Sequence, residues 1–284
     1  MGDCLTSAAA GSQSVSLPRP FFLDQGRGEG VICLHSNAST SSQWRQLSDV
    51  LSDRFHVLAA DGYGAGKSPD WPPTTAATLD AEVDLLAPVL RAAGGRFHLV
   101  GHSYGAAVAL QLAVRYPERV GSVVVYEPTL FHLVAGDEPL ASPAAGIWRA
   151  SSDAAALVEG GDTTSAAERF VDFWMQEGSW REMPAERQAV VAHSLRNIGR
   201  WRDATFGTAA RAVAFASLQA PVLLMWGERS PESAQSVVRL LGSILPNVTL
   251  GPHPGLGHMG PITDPERVNS GIASFLDLHR RANE

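Results

Sequence analysis

Short apolar runs bounded by turn residues recur along the chain, at Val31–Leu34, Phe55–Ala60, Phe97–Val100, Ser122–Tyr126, Val222–Trp226 and Val248–Leu250. These read as strands. Helix-like stretches lie between most of them: one over 42–51, and another marked by Leu79, Val83, Leu86 and Leu90 at helical spacing. Gly94-Gly95 ends that second helix, and Pro88 inside it predicts a kink or a local break. Strands alternating with helices predict an α/β fold, a mostly parallel sheet covered on both faces.

Between residues 129 and 218 the alternation stops. No strand pattern is present there, yet the stretch carries Trp148, Trp174, Trp180 and Trp201, four of the seven tryptophans. Ser165-Ala-Ala-Glu168 reads as a capping box opening an amphipathic helix with Phe170, Val171 and Trp174 on one face. The organisation expected is a flexible tail over 1–20, a core from 21–128 and 219–284, and a helical cap over 129–218, inserted before the last two strands. In the helix expected over 185–201, His193, Arg196, Asn197 and Arg200 share a face opposite Val191, Leu195 and Ile198, which predicts a solvated face.

With 284 residues, 45% of them hydrophobic, the chain can bury one large core. A net charge of −7 without a basic cluster argues against a nucleic-acid partner, which needs grouped Lys and Arg. Cys4 and Cys33 are too few for a disulfide framework or a metal cage, and Cys33 reads as a buried small hydrophobe. The first sixteen residues lack both a basic start and a continuous apolar core, and no segment is long and apolar enough for a membrane span. A cytoplasmic protein acting on a small molecule, without membrane contact, is the expectation, and a homodimer is compatible with it.

The strand at Phe97–Val100 runs straight into "GHSYG" (101–105) and then into an apolar helix that Pro117 ends. A serine on such a strand-to-helix turn is strained and exposed above the sheet, and the helix start offers N–H groups to a developing oxyanion. Ser103 is the candidate nucleophile.

Here the chain resembles the α/β-hydrolase superfamily, and within it the capped, esterase-like members. The likeness rests on "VICLHSNAS" (31–39), "DGYGAGKS" (61–68), "GHSYG", "VVVYEP" (123–128), "VLLMWGERSP" (222–231) and "GLGHMGP" (255–261). It implies a base at His258, in the glycine-rich loop before the final helix, and an oxyanion hole from the N–H groups of Tyr104 and of the first strand's loop. The family's His-Gly in that loop is His35-Ser36 here, so Asn37 is the expected donor, with Ser36 second. Position 230, where the family most often places its acid, holds Ser230. Glu228 and Glu232 fit poorly, and the acid is instead expected at Glu127, at the carboxyl end of "SVVVYEP", a place some members of the superfamily use. The loop over 61–71 lacks a helix behind it and the full nucleotide pattern, so Asp61 reads as a turn-former. The resemblance implies a serine hydrolase of small or medium carboxylic esters, with no cofactor and no metal. C–C bond hydrolysis by the same residues, or a non-catalytic binding module on the same fold, are the alternatives. Haloalkane dehalogenase or epoxide hydrolase chemistry is disfavoured, because the elbow carries a serine and not an aspartate.

Overall fold

A computed structural model describes residues 18–207 and 210–281. The expected N-terminal tail lies, over 1–17, outside the described residues, as does Cys4. Among the described residues seven strands build one sheet: β1 (Phe22–Gly26), β2 (Glu29–Leu34), β3 (Phe55–Ala60), β4 (Phe97–His102), β5 (Val120–Tyr126), β6 (Val222–Gly227) and β7 (Val248–His253). Their order is β1-β3-β2-β4-β5-β6-β7, with β1 antiparallel to β3 and the other neighbours parallel. The sequence pattern does not reveal β1. Its segment "FLDQG" is largely exposed, because an edge strand facing water needs no apolar run.

Period-two alternation sends side chains of the central strands to two cores. Ile32, Leu58, Leu99 and Val123 face the helix Tyr104–Arg115 on one side. Val31, Cys33, Val57, Val100 and Val124 face Leu47, Leu51, Val268 and Ile272 on the other. Burying one Val or Leu of this kind is worth about 1.5–3 kcal/mol. Cys33 is one of these core groups, and burial pushes its thiol well above the ordinary range, which keeps it unreactive.

The break expected near Pro88 falls at Leu86, between the helices Leu79–Leu85 and Ala87–Ala92. Pro88 then occupies a first turn, where its missing N–H leaves no acceptor unserved. Between β5 and β6 the chain runs through helices only, among the described residues. Two expectations for this stretch need correction. The helix Thr163–Trp174 opens at Asp162, whose Oδ1 accepts from Ser165 N–H at 2.9 Å, so Ser165 is not the cap. An aspartate at the cap position competes successfully with a serine three residues on. The helix expected over 185–201 is split by a 3-10 turn, Leu195–Asn197, into Ala185–Ser194 and Ile198–Phe206. That turn swings Asn197 inward to 5% exposure, against the solvated position expected for it. No helix among the described residues is long and apolar enough to cross a membrane.

Candidate active site

Parallel strands end on one rim of the sheet, and the rim gathers the candidate residues from loops far apart in sequence. Ser103 follows β4, Glu127 follows β5, Ser230 follows β6, His258 follows β7 and Asn37 follows β2.

Ser103 adopts φ 55° and ψ −114°, a conformation a non-glycine residue holds only under constraint. Its neighbours explain how the turn closes. A Cβ at Gly101 would stand 2.5 Å from Ala106 Cα, and one at Gly105 would stand 2.3 Å from the Leu34 carbonyl oxygen. Only glycine permits the helix Tyr104–Arg115 to start this close to the sheet.

From Ser103 a chain of hydrogen bonds runs inward. Ser103 Oγ lies 2.9 Å from His258 Nε2, and His258 Nδ1 lies 2.6 Å from Glu127 Oε2. The remaining oxygen, Oε1, accepts from Gly227 N–H at 2.7 Å and from Ser230 Oγ–H at 2.5 Å. Glu127 is fully buried and itself holds φ 47°. The serine at position 230 therefore stands against the carboxylate as a donor.

In the loop after β2, Ser36 N–H donates to Gln43 Oε1 at 3.1 Å, and the Ser36 hydroxyl donates to the same oxygen. With that N–H committed to Gln43, the loop leaves Asn37, which lines the same cavity as Ser103. Tyr104 N–H belongs to the first turn of its helix, where no intrahelical acceptor serves it.

His102, next to the serine, turns inward and links two loops. Its Nε2 lies 2.8 Å from the His258 carbonyl oxygen, and its Nδ1 lies 3.1 Å from Gln43 Nε2. The network assigns the proton to Nε2, which donates to that carbonyl, while Nδ1 accepts from the amide. Burial holds this imidazole well below its ordinary pKa and hence neutral. One neutral ring thus joins the His258 loop to the Asn37 loop. His35 is satisfied locally, by the Ser36 carbonyl and by Gly62 N–H. Asp61 takes the N–H groups of Ser41 and Lys67, so the glycine loop folds onto its own carboxylate and forms no open phosphate cradle.

Above Ser103 the helices between β5 and β6 supply Phe131, Phe170, Trp174, Trp201 and Phe206 to a narrow cavity of about 20 Å³. Trp174 lies flat on the His258 ring, with centroids 3.8 Å apart and planes 22° from parallel. Thr129 also lines this cavity, and its backbone N–H donates to the Ser103 carbonyl at 3.3 Å. Its hydroxyl is buried with no partner among the described residues. Thr129→Val removes that hydroxyl at nearly constant shape. The variant is expected to melt no lower than wild type, while kcat/KM falls about tenfold if substrate satisfies the hydroxyl. Steady-state kinetics beside a melting curve check both halves.

Sequence reasoning does not single out Glu82. The signal available is an acid at the third position after Leu79, on the stripe that Leu79, Val83 and Leu86 make apolar. Glu82 is 3% exposed and accepts from Tyr63 N–H and Tyr104 O–H, each at 3.2 Å. Burial pushes its carboxyl up from 4.5 to about 7. Between those two values the folded protein keeps a proton that the unfolded chain has released, so this residue's contribution to stability falls as pH rises through that window. Glu82→Gln is therefore expected to leave stability near wild type at pH 4.5 and to raise it by about 2–3 kcal/mol at pH 8. Denaturant titrations at the two pH values check the sign.

The family model described as alpha/beta hydrolase fold matches residues 30–265, and the chain belongs to that family. It is an enzyme of the α/β-hydrolase class. A 2-(acetamidomethylene)succinate hydrolase of Mesorhizobium japonicum is 26% identical over 268 residues, covering 89% of this chain and 90% of the relative. A 2-hydroxy-6-oxononadienedioate/2-hydroxy-6-oxononatrienedioate hydrolase of Burkholderia vietnamiensis is 35% identical over 113 residues, which cover 38% of this chain and 39% of that protein. Among solved structures, a thermophilic esterase from Thermogutta terrifontis superposes with a TM-score of 0.72 at 23% identity, covering 92% of this chain and 94% of the other. That last likeness is one of fold.

Proposed function

We propose that the protein is a serine hydrolase that cleaves a small or medium carboxylic ester through an acyl-enzyme on Ser103. The observation that carries this reading is the unbroken chain from Ser103 Oγ through His258 to Glu127, at 2.9 Å and 2.6 Å. A serine hydroxyl is a weak nucleophile, and a base within hydrogen-bond reach, itself oriented by a carboxylate, is what activates it.

In this reading Ser103 Oγ attacks the ester carbonyl carbon while its proton passes to His258 Nε2. The oxyanion lies against the N–H groups of Tyr104 and Asn37. Glu127 holds the Nδ1 proton and offsets the charge on the imidazolium. Collapse breaks the carbon–oxygen bond, and His258 returns the proton to the departing alcohol. Water then attacks the acyl carbon, gives its proton to His258, and releases the acid as Ser103 regains its hydrogen. The helices over 129–218 act as a cap that keeps bulk water from the aromatic cavity. Trp174, stacked on His258, fixes the ring's tilt.

Hydrolysis of p-nitrophenyl esters of graded chain length tests the reading, with turnover expected for at least one chain length. Absence of turnover across the series, together with absence of fluorophosphonate labelling, would remove it. The likeness to the Burkholderia hydrolase favours C–C bond hydrolysis as the second reading. It uses the same three side chains, and turnover of a vinylogous diketone in preference to acyl esters would select it.

A further inference from the structure

Beside the aromatic cavity lies a larger one of about 190 Å³, and the two share Asn37 and Trp201 as walls. The first holds little beyond a water molecule as folded. The bulk of a bound substrate must therefore extend into the second. Glu82, Tyr63, Tyr104 and Trp201 line it.

The chemistry of those four walls is specific. Glu82 is buried, and among the described residues its hydrogen bonds come from a backbone N–H and a phenol. No cation pairs with it among the described residues, although buried carboxylates ordinarily have one. Tyr63, Tyr104 and Trp201 make the lining aromatic, and aromatic rings attract cations by their quadrupoles. Arg196 also lines the cavity and brings positive charge, but its guanidinium is held by Asp70 at 2.8 Å. With Arg196 paired to Asp70, the carboxylate of Glu82 is left without a counter-charge among the described residues.

We propose that this second cavity is a substrate subsite for an ammonium group, with Glu82 supplying the counter-charge and the three aromatic rings supplying the walls. The inference rests on the ester-hydrolase reading and narrows it to substrates carrying a positive charge on one of their two halves. Tyr104 would then link the two functions, since its N–H belongs to the oxyanion hole and its hydroxyl to Glu82.

Two matched substrate pairs test it. One compares butyrylcholine with its neutral isostere 3,3-dimethylbutyl butyrate, placing the charge on the alcohol half. The other compares the p-nitrophenyl esters of 4-(trimethylammonio)butanoate and 5,5-dimethylhexanoate, placing it on the acyl half. The expected result is a kcat/KM preference of about tenfold or more for the cationic member of one pair, carried by KM. In Glu82→Gln the amide oxygen can still accept from Tyr63 N–H while the NH2 donates to the Tyr104 hydroxyl, so the charge is removed with both contacts kept and the preference should collapse towards unity. Competitive inhibition of the wild-type enzyme by tetramethylammonium, against sodium at equal ionic strength, supplies a reading that needs no variant. Neutral members turned over as well as cationic ones in both pairs, or a preference unchanged in Glu82→Gln, would overturn the subsite while leaving the hydrolase reading intact. If no ester is turned over, tetramethylammonium binding followed by tryptophan fluorescence still decides the subsite. Saturable quenching lost in Glu82→Gln would support it, and no quenching would overturn it.

Discussion

Ser103→Ala is expected to lower kcat for ester hydrolysis by about five to six orders of magnitude and to abolish fluorophosphonate labelling. Only binding and oxyanion stabilisation remain once the covalent step is removed. Folding should survive, because the Ser103 hydroxyl has one side-chain partner, His258, and the turn is held by backbone bonds. Ser103 N–H donates to Tyr126 at 2.9 Å, and its carbonyl accepts from Ala106 and Ala107. Circular dichroism beside the kinetics separates chemistry from collapse. Activity within about tenfold of wild type would mean that another group attacks the carbonyl.

The second large effect concerns Glu127. Glu127→Gln should cut kcat by about three to four orders of magnitude. The surroundings of Oε1 dictate why. Gly227 N–H and Ser230 O–H both donate there, so the amide oxygen of a glutamine must take that place. Its NH2 group then faces His258 Nδ1 and donates to it, which moves the imidazole proton to Nε2. A ring protonated at Nε2 cannot accept the proton of Ser103. Ser230→Ala removes one donor and leaves the Gly227 N–H, so a fall of about tenfold is expected. Ser230→Asp in the Glu127→Gln background should restore part of the rate. Ser230 Oγ lies 2.5 Å from Glu127 Oε1, so a carboxylate from this strand end approaches the same ring. Restoration stays incomplete, since small misplacements of a catalytic group are costly. A loss below about tenfold in Glu127→Gln would show that Ser103 and His258 work without this acid.

What could be read in the sequence follows from how much each feature depends on local pattern. The strands β2 to β6 announce themselves as apolar runs because they are buried on both faces, whereas the edge strand β7 is largely exposed and shows only the short run Val248–Leu250. β1 carries no such signal, since an exposed edge strand is chosen by its pairing with β3 and not by its own composition. Ser103 is legible because its glycine neighbours and flanking strand and helix are contiguous. Glu127 is legible mainly through Ser230, whose lack of charge directs attention to another strand end. The hydroxyl's second use, as a donor to Glu127, requires the two loops to be seen together. Trp174 on His258 and the His102 link to Gln43 join segments tens of residues apart, and no periodicity encodes them. The pattern predicts one continuous helix, which would put Asn197 on a solvated face. The 3-10 turn that breaks it depends on packing over the rim. Glu82 left a trace, an acid on an apolar stripe, but its meaning depends on a cavity that only the folded chain encloses.

The central claim is that Ser103 attacks covalently, and the most direct test is peptide mass mapping after fluorophosphonate treatment, with ester turnover followed in parallel. The account predicts a single phosphonyl adduct on the peptide carrying Ser103, accumulating in step with loss of activity. Ester turnover that survives complete labelling, or full inactivation with Ser103 unmodified, would contradict it.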